Sequence, residues 1–144
     1  MRLTRTPGFA GLLSLGLAPA GADTSDAVAE GAAIFKRVCV ACHYATELDP
    51  LVAAPPIFAV KHHYADFSDR EGFVAAIAAY VRAPSEAASR MPEALGRFGL
   101  MPAQEITEAE ARAVAAYLYA TDFTLPDWYV TLYQEEYGAK AGGD

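Results

Sequence analysis

Apolar residues recur at helical spacing in three stretches of this chain. Ala27, Ala32 or Ile34, Phe35 and Val38 predict a first helix, from near Ser25 or Asp26, either of which can cap it, to about Val40. Phe73, Ile77, Tyr80 and Val81 share one face of a second helix predicted over residues 69–82, capped by Ser68 or Asp69 and ended by Pro84. A third helix is predicted over residues 108–120. Thr107 is its N-cap, and Glu110 stands three residues on, as a capping box requires.

Between these helices the pattern is broken. Residues 44–56 read as irregular, ending in Pro55-Pro56, and Lys61-His62-His63-Tyr64 reads as a solvated turn. A looser segment after Pro84 holds Met91-Pro92, Gly96, Gly99 and Met101-Pro102. An extension after Thr121 carries Trp128, Tyr129, Tyr133 and Tyr137, and the tail from Gly138 is expected to fray. Two readings of the extension stand side by side: a strap that packs back over the helices, and a docking surface for a partner. No strand alternation and no internal repeat is visible, so the predicted class is all-α.

The apolar run at residues 9–18 has a different pattern. Arg2 and Arg5 precede it, and the small-residue triplets Ala18-Pro19-Ala20 and Ala20-Gly21-Ala22 come after it. That is the layout of a secretory signal peptide, and the run is far short of the roughly 20 residues a bilayer span needs. Cleavage is expected after Ala22, with Ala20 as the alternative. The predicted organisation is therefore a signal peptide at 1–22, a folded domain at 23–120 and an extension at 121–144. The mature chain is expected to be exported to the periplasm, with no stable membrane insertion after cleavage.

Composition sharpens this outline. Alanine supplies 31 of 144 residues, so the 53% hydrophobic fraction overstates the supply of large core side chains. The formal charge is −7, and loss of residues 1–22 removes two arginines and no acid, taking it to −9. Such a chain lacks the cationic excess that nucleic acid or an anionic membrane surface would require.

The decisive motif is Cys39-Val40-Ala41-Cys42-His43, a C-x-x-C-H sequence, the attachment signal of c-type haem. Two thiols three positions apart on a helical turn can each bond a haem vinyl group, and the adjacent histidine can reach the iron from the same side. A thioredoxin-like redox pair would want a strand before it and a βαβ context, and none is visible. A zinc site needs four ligands, and His62-His63 is a poor completion. Both cysteines are thus assigned to one covalently bound haem c.

Across residues 26–120 the chain resembles class I c-type cytochromes, the monohaem cytochrome c family. Gly31 and Phe35 stand where that family carries a small residue and an aromatic on its first helix. Val114 and Tyr117, within Ala113-Val114-Ala115-Ala116-Tyr117-Leu118, match the partner positions on its last helix. The resemblance implies a cytochrome c fold of three to five helices wrapped around one haem. Ala54-Pro55-Pro56-Ile57 resembles the family's Gly-Pro-x-Leu, in which the proline carbonyl accepts from the ligating histidine. With alanine at position 54, either Pro55 or Pro56 can supply the carbonyl, and Pro55 is taken. Met-Pro marks the sixth ligand in the family. Met101, 16 residues before Tyr117, is preferred; Met91 is the alternative, and His62 or His63 the third choice. Tyr64, Phe67, Tyr80 and Phe98 are candidates for the haem pocket, and Arg82 or Arg97 for pairing a propionate.

The implied activity is one-electron transfer between redox proteins of a respiratory or related chain, without a catalytic residue. The acidic surface predicts partners with basic docking patches. A haem c subunit of a larger periplasmic redox enzyme, such as one oxidising a sulfur compound or an alcohol, is the alternative. A haem-based ligand sensor is a third.

Overall fold

The computed structural model describes residues 22–43 and 53–131. The expected signal peptide, residues 44–52, Tyr133, Tyr137 and the tail from Gly138 lie outside the described residues, except that Ala22 opens the first helix. The described residues contain helices and no strand. They form α1 (Ala22–Ile34), α2 (Ile57–His63), α3 (Arg70–Arg82), α4 (Pro92–Phe98) and α5 (Glu108–Ala120). A short 3₁₀ turn lies at Glu86–Ala88.

α1 starts earlier than its capping residues suggest and does not run on as a regular helix to Val40. From Phe35 to Cys39 it widens into a π turn, closed by Val40 N–H donating to Phe35 O at 3.1 Å. An inserted residue of this kind rotates the next turn of chain relative to the helix axis, and such bulges gather at functional sites. Here it sets the phase of the two cysteines.

α3 and α5 match their sequence signals closely. Asp69 Oδ1 accepts from Gly72 N at 2.8 Å, capping α3. At the head of α5, Glu110 N donates to Thr107 Oγ1 at 3.2 Å and Thr107 N donates to Glu110 Oε2 at 2.9 Å, the reciprocal box. α5 is the central element: it packs against both α1 and α3. Phe73, Val74 and Ile77 of α3 meet Val114, Ala115 and Leu118 of α5 in one buried cluster with Ile34 and Phe35.

The crossing of α1 and α5 depends on Gly31. A Cβ there would lie 1.9 Å from Ala113 O and 2.9 Å from Tyr117 Cβ, so the backbones are in direct contact. One turn on, the rings of Phe35 and Tyr117 meet at 5.4 Å.

Two helices escape the hydrophobic periodicity because each is only seven residues long. α2 includes Lys61, His62 and His63, so these residues are not a solvated turn. Lys61 Nζ donates to Tyr119 O at 3.2 Å and Thr121 O at 2.5 Å, satisfying carbonyls that the end of α5 leaves open. Tyr64, the next residue, is buried. α4 has Pro92 in its first turn, and Gly99 at φ +74° ends it, a conformation glycine adopts without strain.

Beyond α5 the chain turns back over α2, and residues 127–131 are helical. Phe58 meets the rings of Tyr129 at 4.8 Å and Trp128 at 5.9 Å. For these two aromatics the strap, rather than a free surface, describes the packing.

Gly31→Ala is expected to destabilise the holoprotein by about 1–3 kcal/mol, the usual cost of overpacking a tight contact. Gly96→Ala, where nothing lies within 4 Å of the added carbon, is expected to be neutral or stabilising. Guanidinium midpoints of the two variants against wild type check both.

Candidate functional site

The π turn delivers the C-x-x-C-H residues as a compact helical turn. Cys42 N and His43 N both donate to Cys39 O, at 3.1 and 2.9 Å. Cys39 is half-buried and Cys42 exposed, and neither is in a disulfide. Burial, and secondly the neighbouring Cys42, push the Cys39 thiol up to about 11. A catalytic or redox cysteine is activated by the opposite shift.

His43 is oriented by a backbone carbonyl. Its Nδ1–H donates to Pro55 O at 2.7 Å. A carbonyl can only accept, so the proton sits on Nδ1 and Nε2 keeps its lone pair for a metal. Burial lowers the pKa of the ring, against the opposing pull of the Pro55 carbonyl. The imidazole is therefore neutral, the form that ligates. Pro56 does not supply this carbonyl, because Pro56 O accepts from Ala59 N and Val60 N and so opens α2.

Cys39, Cys42, His43 and Pro55 line one cavity of about 190 Å³. Phe35 and Val38 close it from the first helix, Ile57 and Val60 from α2, and Ile77, Tyr80 and Val81 from α3. Leu95 and Phe98 of α4, the loop from Gly99 to Gln104, and Val114 and Leu118 of α5 complete the walls. Met91 and Met101 both reach it. Their surroundings differ. Met91 also packs against the cluster of Phe58, Ala59 and Tyr129 under the strap. Met101 lies in the loop beyond Gly99, beside Leu100, which is 45% exposed.

The structure separates the other expected residues. Tyr64, Tyr80 and Phe98 line the cavity. Phe67 does not; it stacks behind Tyr64 at 6.0 Å, so its ring belongs to a second layer. His62 and His63 also lie outside the cavity wall. Tyr129 Oη and His62 Nδ1 approach to 3.4 Å, and His63 Nε2 faces Glu93 at 3.6 Å. Arg82 pairs with Glu108 at 3.4 Å and Arg97 lies over the Phe98 ring at 5.0 Å, and neither lines the cavity. Arg90 does line it, and nothing in its sequence neighbourhood marks it out.

Two adjacent thiols, a neutral imidazole fixed by a carbonyl, two thioethers and largely apolar walls form a donor set that fits haem c. The family model described as Cytochrome c matches residues 28–122. This chain belongs to the cytochrome c family. It carries covalent haem c, with Cys39 and Cys42 in the spacing that the attachment uses, and its domain is that of a haem-based electron carrier. No curated protein and no solved structure matches the chain. Among the described residues no helix is long and apolar enough to cross a membrane.

Burial, and secondly Tyr80, push the phenol of Tyr64 up to about 12, against the pull of Arg90. A raised pKa contributes stability that is complete below the unfolded value near 10 and is lost as pH rises through the folded value. Stability is therefore expected to fall between pH 10 and 12, and to fall less in Tyr64→Phe. Denaturation midpoints at pH 9 and pH 11 for both proteins check this.

Proposed function

We propose that this protein is an exported, soluble monohaem cytochrome c that passes single electrons between redox proteins of a respiratory or related chain. The observation that carries the reading is the His43–Pro55 hydrogen bond at the edge of a cavity that two methionines also line. With haem bound, His43 and one of these methionines would both hold the iron, leaving no open site for a substrate. When bound, the haem supplies a one-electron couple, with its iron alternating between the ferric and ferrous states.

Each residue has a distinct task. Cys39 and Cys42 hold the group covalently, so it is retained outside the cytoplasm. His43 is the nitrogen ligand, and Pro55 O fixes its tautomer and ring orientation. Met101 is the thioether ligand, and Met/His ligation favours a high potential. Met91 is a wall residue, since it also fills the contact with Phe58 and Tyr129. The apolar walls exclude water, which limits reorganisation on electron transfer.

A carrier is favoured over a permanent subunit of a larger enzyme. The subunit reading leans on the aromatic extension, and Trp128 and Tyr129 spend their rings on Phe58 of the same chain. The acidic surface fits transient partners with basic patches, whose association is steered by charge and weakened by salt. Residues 1–22 supply the export signal in this reading.

Ferric haem with a thioether ligand shows a weak near-infrared band that bis-histidine haem lacks. Met101→Ala is expected to abolish the band and Met91→Ala to retain it. Survival of the band in Met101→Ala and its loss in Met91→Ala would reverse the assignment. Intact-mass measurement on the exported holoprotein is expected to give a chain starting at Asp23, and retention of residues 1–22 would overturn the export reading.

A further inference from the structure

The protein is acidic, yet no carboxylate and no lysine among the described residues lines the cavity. With His43 neutral, Arg90 is the one charged side chain among the described residues of the wall. Four contacts fix that guanidinium. Its Nε donates to His63 O at 2.9 Å, and its Nη2 pairs with Asp66 Oδ2 at 2.5 Å. Its Cζ lies 5.3 Å from the centroid of Tyr64 and 4.9 Å from that of Phe67. Arginine suits such a place because its planar cation can stack on rings and donate in the ring plane at once. Tyr64 lines the cavity with it, while Asp66 is largely exposed and lies outside the wall.

We infer that Arg90 and Asp66 form an opposed charge pair that sets the reduction potential of the bound haem, with Arg90 raising it and Asp66 moderating that effect. The inference rests on the haem occupying this cavity. The couple concerned is the addition of one electron to ferric iron to give ferrous iron, with no proton moved and no bond made or broken. Oxidation places one more positive charge in the cavity. A cation held in its wall disfavours that charge, and because the Arg90 side chain is 34% exposed, solvent screens part of the effect. A carboxylate on the far side of the guanidinium acts in the opposite sense. Because it faces solvent, its effect is smaller and is screened by salt. The stack on Tyr64 and Phe67 makes Arg90 a positioning residue, holding the charge in one place through both oxidation states.

The test is the midpoint potential of the holoprotein by spectroelectrochemistry at low and high ionic strength, with denaturation midpoints recorded alongside. Arg90→Gln is expected to shift the potential down. Asp66→Asn is expected to shift it up, by less, and by less still in high salt. Arg90→Lys keeps the charge without the stacked plane, so its potential is expected nearer to wild type than to Arg90→Gln, even if its stability falls. Shifts of the same sign in Arg90→Gln and Asp66→Asn would overturn the inference, because a change in packing or water access has no reason to track the sign of the charge. Arg90→Lys tracking Arg90→Gln would overturn it as well. A wild-type protein with no reversible one-electron couple would sink the carrier reading itself, a result distinct from a normal couple that ignores both charges.

Discussion

The backbone contact at Gly31 is the constraint on which the rest of the structure depends. A chain in which 31 of 144 residues are alanine has little side-chain volume with which to bridge helices at ordinary spacing. At Gly31, α1 therefore approaches Ala113 O so closely that no Cβ fits. Ala113 keeps the facing surface of α5 low, and the rings of Phe35 and Tyr117 meet one turn on. Dense packing over a short crossing then replaces bulk spread over a wide one. It also fixes the direction from which the π turn leaves α1, and so where Cys39, Cys42 and His43 arrive.

Having closed one side in this way, the fold leaves the other open. Helices and loops surround a space that their own side chains do not fill, and the cofactor belongs there. A domain of this size gains much from burying a large apolar ring, because its own core area is small. The polar content of that space is rationed. Among the described residues, one imidazole is held by one carbonyl, the pair of thiols is given over to attachment, the single guanidinium is stacked and paired, and Tyr64, Tyr80, Ser89 and Gln104 add the remaining polar side chains. The strap after α5 adds a second small core around Phe58, on which Met91 rests, so one of the two methionines at the cavity is also part of the framework.

Signals are legible in the sequence wherever they act over a few residues. The caps of α3 and α5 lie where Asp69, Thr107 and Glu110 place them, because a cap is made between residues three apart. The C-x-x-C-H spacing identifies the attachment site for the same reason. α2 and α4 are not legible from periodicity, since seven residues hold too few turns for a pattern, although Pro92 and Gly99 bracket α4 as a start and a stop. Lys61 reads as solvated because its acceptors, Tyr119 O and Thr121 O, lie 58 and 60 residues away along the chain.

The helical class, the attachment of the cofactor and a short set of candidate ligands are legible along the chain, since each depends on residue type and near-neighbour spacing. Packing separates residues that the sequence leaves equivalent. It brought the carbonyl of Pro55 rather than Pro56 to His43, and kept His62 and His63 out of the cavity. It gave Met91 a second packing role that Met101 lacks, and placed Arg90 rather than Arg82 or Arg97 in the wall. Residues of the same type are equivalent along a chain. They become different when folding sets one against a partner and another against solvent, and that choice is made by the packing of whole helices.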